Sequence, residues 1–207
     1  MWLYRRTGEA RYLDFATYIV GQLCDGKDGP QLVRQADVPV AERRFEVVPK
    51  AFEKNARVHL TKAYEMMSCY QGLLEYYEVT GDMSYLEAAV KTAESIRTTE
   101  VNLAGGAAAG EHWFRGADRQ YRHISWQQET CVLTTWMRLC AKLLALTGDP
   151  KWGDELEKTF YNAYLGALNL NADKFASYSP LMGYRSVGHH HCKMHTDCCN
   201  ANGPRGY

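Results

Sequence analysis

Leu143-Leu144-Ala145-Leu146-Thr147-Gly148-Asp149-Pro150-Lys151-Trp152-Gly153-Asp154 carries the pattern that decides the fold. An apolar helical run stops at Thr-Gly, an acidic residue follows, and an aromatic stands five positions after the threonine. The same pattern occurs as Leu3-Tyr4-Arg5-Arg6-Thr7-Gly8-Glu9-Ala10-Arg11-Tyr12-Leu13-Asp14 and again from Glu75 through Thr80-Gly81-Asp82 to Glu87, with Tyr85 as its aromatic. Glycine takes the left-handed conformation that ends a helix. The acidic residue caps the next helix and favours its positive end. Pro150 suits the first turn of that new helix. Each copy therefore predicts a tight helical hairpin, with the aromatic packed back onto it.

The three threonines are 73 and 67 residues apart, so each hairpin is followed by a long connection. Apolar spacing downstream of the second turn (Tyr85, Leu86, Ala89, Ala93, Ile96) keeps a helical period. Strand signals are sparse, and the fold class is all-α. Recurrent helical hairpins build either an α-solenoid or an α/α toroid. Alternating short and long connections favour the toroid, whose long loops build a pocket at one end. Three intervals read as loops: Cys24 to Pro39, the small and flexible Ala104 to Gly110, and the turn-rich Asn171 to Gly188, where a short hairpin is expected.

Hydrophobic residues make up 46% of the 207, charged residues 23%, and the formal net charge is zero. That composition supports a sizeable core and gives no nucleic-acid footprint or basic membrane-attracting patch. The opening Met1-Trp2-Leu3-Tyr4-Arg5-Arg6 lacks the pattern of a signal peptide, which leaves cytoplasm and periplasm open as compartments. Seven cysteines cannot all pair within the chain, and reduced thiols with a metal or catalytic role are expected. Fourteen tyrosines and five tryptophans suit a sugar-binding cleft and a helical core equally well.

Three segments carry chemistry. In Thr196-Asp197-Cys198-Cys199-Asn200-Ala201-Asn202-Gly203-Pro204-Arg205, adjacent cysteines lie in a polar stretch where neither is a natural core filler. Thiolates are strong zinc ligands. In Gln127-Gln128-Glu129-Thr130-Cys131, a carboxylate and a thiol two apart at a helix start can reach one ion; the alternative is an acidic first-turn residue beside a buried cysteine. In Gly110-Glu111-His112-Trp113-Phe114, aromatic neighbours are expected to raise the Glu111 carboxyl toward a proton donor's range; the alternative is an exposed loop glutamate.

Together, Glu-x-Cys followed by Cys-Cys, with Gly-Glu upstream and Thr-Gly-Asp hairpins between, resembles glycoside hydrolase family 127 over nearly the whole chain. The resemblance implies an (α/α)6 barrel and a retaining glycosidase acting on terminal β-L-arabinofuranosides or related sugars of plant-type glycans. It implies Zn2+ held by Glu129, Cys131, Cys198 and Cys199, with Cys198 as nucleophile and Glu111 as general acid/base. His195 is expected to contact the sugar or a ligand, and Asn202 and Arg205 to fix the loop or touch substrate, with the structural role preferred. His189-His190-His191 reads as a polar loop. The family's Gly-His-Ala-Val-like helix start corresponds to Leu60 to Glu65, where Lys62 stands in place of histidine and leaves the sugar open. Residues 1–207 would then be the C-terminal half of the barrel, with its N-terminal half and any β-sandwich domains elsewhere. A carbohydrate substrate, no nucleic-acid or membrane partner, and a homodimer of the full-length protein complete the expectation. Two readings compete: a polysaccharide lyase on an α/α toroid, and a non-catalytic helical scaffold with a structural zinc.

Overall fold

A computed structural model describes residues 1–27, 29–43, 62–122, 127–183 and 198–207. All three Thr-Gly segments form the expected hairpins. α1 (Trp2–Thr7) turns into α2 (Ala10–Cys24), α3 (Ala63–Thr80) into α4 (Met83–Thr99), and α5 (Thr130–Thr147) into α6 (Lys151–Lys158). Gly8, Gly81 and Gly148 sit at φ 73°, 73° and 69°, and each N–H closes the preceding helix on the carbonyl of Tyr4, Tyr77 or Leu144. A residue with a Cβ is strained there, which is why the motif demands glycine.

The threonine has a job that the spacing alone does not reveal. Its hydroxyl donates back to the carbonyl four residues earlier: Thr7 to Leu3, Thr80 to Tyr76 and Thr147 to Leu143. The same oxygen accepts the backbone N–H of Glu9, Asp82 or Asp149. One side chain thus spans the turn from both sides. Asp82 and Asp149 then accept the N–H of Ser84 and Lys151, whereas Glu9 makes no side-chain cap. The aromatics pack inward as expected in two copies, Tyr85 edge-on to Tyr76 and Trp152 edge-on to Trp136.

α5 is the central helix, packed against α3, α4 and α6. Its length and apolar character would pass for a membrane span, yet 61% of that window is buried inside the protein, as in a core helix. The larger core joins α2 through α6 around Met67, Tyr70, Leu74, Ile96, Trp113, Trp136 and Trp152. The connection after α2 is pinned by buried Arg43, whose guanidinium reaches Tyr70 Oη at 2.9 Å and Thr92 Oγ1 at 3.0 Å. No strand forms among the described residues, only isolated bridges.

α6 runs without a break into a wider π turn, Thr159–Tyr164, and then α7 (Leu165–Ala167). Here the glycine-rich loop corrects its expected flexibility. Ala107, Ala108 and Ala109 are buried, and a Cβ on Gly105 (φ +94°) would come 2.6 Å from Thr159 Cα. Thr159 Oγ1 donates to the Gly105 carbonyl at 3.0 Å, and Ala163 N–H to the Ala104 carbonyl at 3.1 Å. The residues are small because the loop is packed tightly against the π turn. In the last loop, the pairing among the described residues is a single bridge, Leu168 with Phe175, starting earlier than the sequence suggested.

Candidate active site

The long connections gather at the end of the bundle opposite the Thr-Gly turns, at the heads of α3 and α5. A chain of backbone bridges draws them together: Lys62 pairs with His112, His112 with Ala109, and Ala109 with Gln127. This brings together the acid/base candidate Glu111, the ligand candidate Glu129 and Lys62. Lys62 precedes α3, Glu111 sits in the bridged loop, and Glu129 holds the N-cap position of α5 without a side-chain cap bond. Both Glu111 (φ 66°) and Gln128 (φ 53°) adopt the left-handed conformation, a local cost borne where the chain must turn its side chains toward the site.

A second layer comes from residues 175–181. Thr130 N–H donates to the Ser177 carbonyl, Ser179 N–H to the Gln127 carbonyl, and Gln128 Nε2 to the Ser179 carbonyl at 2.8 Å. On its other side, this segment exchanges two hydrogen bonds between Phe175 and the amide of Asn200, at 2.8 and 3.1 Å. That docks the short helix α8 (Cys198–Asn202) beside α5. The turn after it, Gly203–Gly206, lies so close to the aromatic rings of Phe175 and Tyr164 that a Cβ on either glycine would collide with them. Tyr164 Oη closes the arrangement by donating to the Gly203 carbonyl at 2.6 Å.

The consequence is a cluster of four acidic ligands. One ligand atom each from Glu129, Cys131, Cys198 and Cys199 lies within 4.8 Å of every other. Cys131 Sγ is 3.4 Å from Cys199 Sγ, which in turn lies 3.9 Å from Glu129 Oε1. Glu129, Cys131 and Cys199 are buried, whereas Cys198 is exposed. Burial, with the Cys131 sulfur nearby, pushes the Cys198 thiol up to about 11. Hydrogen bonding to Cys131 and then burial push Cys199 up further. Burial, then Cys131 and Glu111, push the Glu129 carboxyl up to about 9. Glu129, Cys198 and Cys199 thus resist ionising beside Cys131, and a divalent cation held there would favour their ionised forms. The positive end of the α5 helix dipole favours the same anionic forms.

Asn202 and Arg205 are hydrogen-bonded within this loop. Arg205 Nη1 donates to Asn202 Oδ1 at 2.7 Å, and Asn202 Nδ2 points at Cys131 Sγ at 3.3 Å. Such an outer hydrogen bond orients a thiolate ligand.

Glu111 departs from expectation. Its Oε2 lies 2.8 Å from Lys62 Nζ, and its Oε1 accepts a short hydrogen bond from Tyr178 Oη. Burial raises the carboxyl, but the bonds from Lys62 and Tyr178 outweigh it and hold Glu111 below the ordinary glutamate range. The aromatic surroundings therefore do not make it a standing acid. Neither Tyr178 nor the pairing with Lys62 is marked by local spacing, since both partners come from distant segments. His195, Cys192 and the His189–His191 run lie outside the described residues.

A family model for the β-L-arabinofuranosidase, GH127 catalytic domain, matches residues 1–207. Among solved structures, the chain is similar to a GH127 β-arabinofuranosidase, BT3674, at 28% identity and a TM-score of 0.71, over 98% of this chain and 30% of that one. It also resembles in fold a GH127 β-L-arabinofuranosidase from Geobacillus stearothermophilus T6, at 18% identity and a TM-score of 0.66, over 98% of this chain and 34% of that one. A third likeness of fold is to a glycoside hydrolase at 19% identity and a TM-score of 0.66, over 99% of this chain and 35% of that one. The chain thus spans about a third of the length of the structures it matches. No curated protein sequence matches it. GH127 structures have the helical toroid fold, of which these hairpins are part.

Proposed function

The chain belongs to the family of the β-L-arabinofuranosidase GH127 catalytic domain, and from that premise we propose that it carries the reacting groups of a retaining glycosidase. Its substrate is a terminal β-L-arabinofuranoside or a related sugar of plant-type glycans. The residues form the C-terminal half of an (α/α)6 barrel completed by the rest of the protein. The observation that carries this reading is the convergence of Glu129, Cys131, Cys198 and Cys199 at the loop end, beside the carboxyl of Glu111.

The donor set suits zinc. Sulfur ligands at about 2.3 Å and a carboxylate oxygen at about 2.0–2.2 Å would stand roughly 3.5–3.8 Å apart at the corners of a tetrahedron. The sulfur–sulfur and sulfur–oxygen separations of 3.4 and 3.9 Å come within about 0.4 Å of that frame. Bound zinc would hold the thiols as thiolates at neutral pH, offsetting the crowding that otherwise keeps them protonated. Buried Glu129, Cys131 and Cys199 anchor the site, and exposed Cys198 is the ligand that faces a substrate.

Cys198 Sγ attacks the anomeric carbon while Glu111 gives a proton to the departing oxygen. The resulting thioglycoside on Cys198 is released by water, which Glu111 deprotonates, and the two inversions leave the configuration retained. A thiol and a carboxylic acid here share the work that two carboxyl groups do in most glycosidases. The exposure of Cys198 also weighs against a purely structural zinc, because structural sites are closed.

The test is hydrolysis of an aryl β-L-arabinofuranoside by the full-length protein, with product configuration followed by NMR and the sugar adduct located by mass spectrometry. Retention, with an adduct on Cys198, is the expected result. An unsaturated product absorbing in the ultraviolet would make it a lyase instead.

A further inference from the structure

Lys62 is held in the site by its backbone. The backbone is tied to the loop that carries Glu111: Lys62 bridges to His112, and the Ala63 N–H donates to the Glu111 carbonyl at 2.9 Å. The ammonium lies between two carboxylates, 2.8 Å from Glu111 Oε2 and 3.4 Å from Glu65 Oε1. The Lys62 and Glu65 side chains are about half exposed, so the arm has room to swing.

Both oxygens of Glu111 are already engaged, Oε1 by Tyr178 and Oε2 by Lys62. A hydroxyl can reverse its role and accept a hydrogen bond, but an ammonium has three donors and no acceptor. A proton on Oε2 removes the charge that holds the ammonium there and leaves only a weaker neutral acceptor, so the pairing with Lys62 in its present place is loosened. Glu65, in the first turn of α3, offers an alternative acceptor.

We propose that Lys62 is a positioning residue that cycles Glu111 between proton donor and proton acceptor by moving its ammonium between Glu111 and Glu65. This rests on the reading of Glu111 as the acid/base. With Glu111 protonated, the ammonium pairs with Glu65. As the glycosidic C–O bond breaks and the Cys198 sulfur–carbon bond forms, the proton passes to the leaving oxygen and the ammonium returns to the new carboxylate. In the second half, water's oxygen bonds to the anomeric carbon and the C–S electron pair returns to sulfur. Water's proton goes to Glu111, and the ammonium moves back to Glu65. The other groups around Glu111 keep their places: Tyr178 on Oε1, His112 next along the loop, and Glu129 at the head of α5. Burial raises the carboxyl, and with Lys62 in its present place the bonds from Lys62 and Tyr178 prevail and lower it.

The experiment compares zinc-loaded full-length wild type with Lys62→Met and Glu65→Gln. The Glu111 carboxyl is titrated by 13C NMR, its signal assigned through Glu111→Gln, and the pH profile of aryl arabinofuranoside hydrolysis is recorded alongside. Lys62→Met is expected to raise the proton affinity of Glu111 about tenfold, a shift of about one pH unit in both readouts. Glu65→Gln is expected to move both the opposite way, and to slow poor leaving groups several-fold more than good ones. Titrations that do not move in either variant, with Glu111→Gln inactive, would overturn the exchange while leaving the acid/base assignment intact. Shifted titrations with an active Glu111→Gln would do the reverse.

Discussion

Cys131 Sγ and Cys199 Sγ lie 3.4 Å apart although 68 positions separate them in the chain. One heads the central helix, the other sits in α8, and the 175–181 segment is hydrogen-bonded to both, so a single contact reports that all three are assembled. Full-length protein purified under reducing conditions is expected to hold about one zinc per chain by mass spectrometry. The Cys131→Ser/Cys199→Ser double variant should hold none. Because a ligand at a thousandfold over its Kd stabilises the folded state by about 4 kcal/mol, chelation should lower the melting temperature of the wild type and leave that of the variant unchanged.

The two adjacent cysteines should separate stability from activity. Cys199 is buried against Glu129 and the Ser177 carbonyl, whereas Cys198 is exposed. Cys199→Ser is expected to cost about 1–3 kcal/mol of stability along with metal. Cys198→Ser, which leaves the buried packing intact, should cost less stability than Cys199→Ser yet lose about 10³-fold or more in kcat. Denaturant melts and kcat on the same preparations check both.

Two glycines with left-handed backbones should respond differently to alanine. Gly8 faces open space, and Gly8→Ala carries only the conformational cost of about 1 kcal/mol. Gly105→Ala adds a Cβ 2.6 Å from the Thr159 backbone, and overpacking against a fixed main chain costs about 1–3 kcal/mol more. The gap between the two melting curves measures how rigid the Ala104 to Gly110 loop is.

Acid should loosen the first hairpin. Glu78 lies 2.6 Å from Lys142 Nζ and also pairs with Arg5, so it joins α1 to α3 and α5. Burial raises its carboxyl, but the bonds from Lys142 and Arg5 together hold it below the ordinary value. A depressed folded value means the contribution is present above the unfolded glutamate value of about 4.3 and is lost as pH falls through the lower, folded one. The groups are partly exposed, so the effect is held to under about 1 kcal/mol. Glu78→Gln should flatten that part of the stability–pH curve, and salt should shrink the difference.

The hairpins were legible because a Thr-Gly turn is local chemistry: glycine's backbone and one hydroxyl close it without help from the rest of the chain. The set Glu129, Cys131, Cys198 and Cys199 was legible only through the family resemblance, since Glu129 and Cys131 alone read equally as a first-turn carboxylate beside a buried cysteine. Their convergence depends on the 175–181 segment bonded to both partners, which no spacing encodes. The direction of the Glu111 shift was misread because its partners, Lys62 and Tyr178, arrive 49 residues before it and 67 after it. The small residues of Ala104 to Gly110 suggested freedom, and only the packing of Thr159 and Gln128 against them shows confinement.

The π turn of Thr159–Tyr164 also sets an angle. A helix advances about 100° of rotation per residue, so a turn holding one extra residue acts as a phase shifter for all that follows. It leaves Thr159 facing the Gly105 loop and Tyr164 facing Gly203, two targets that a uniform helix would present on different bearings. Deleting a single residue from this turn would rewind it to an ordinary helix and swing Tyr164 away from Gly203. The anchorage of α8 and its two cysteines would go with it, although no residue of the cluster had been touched.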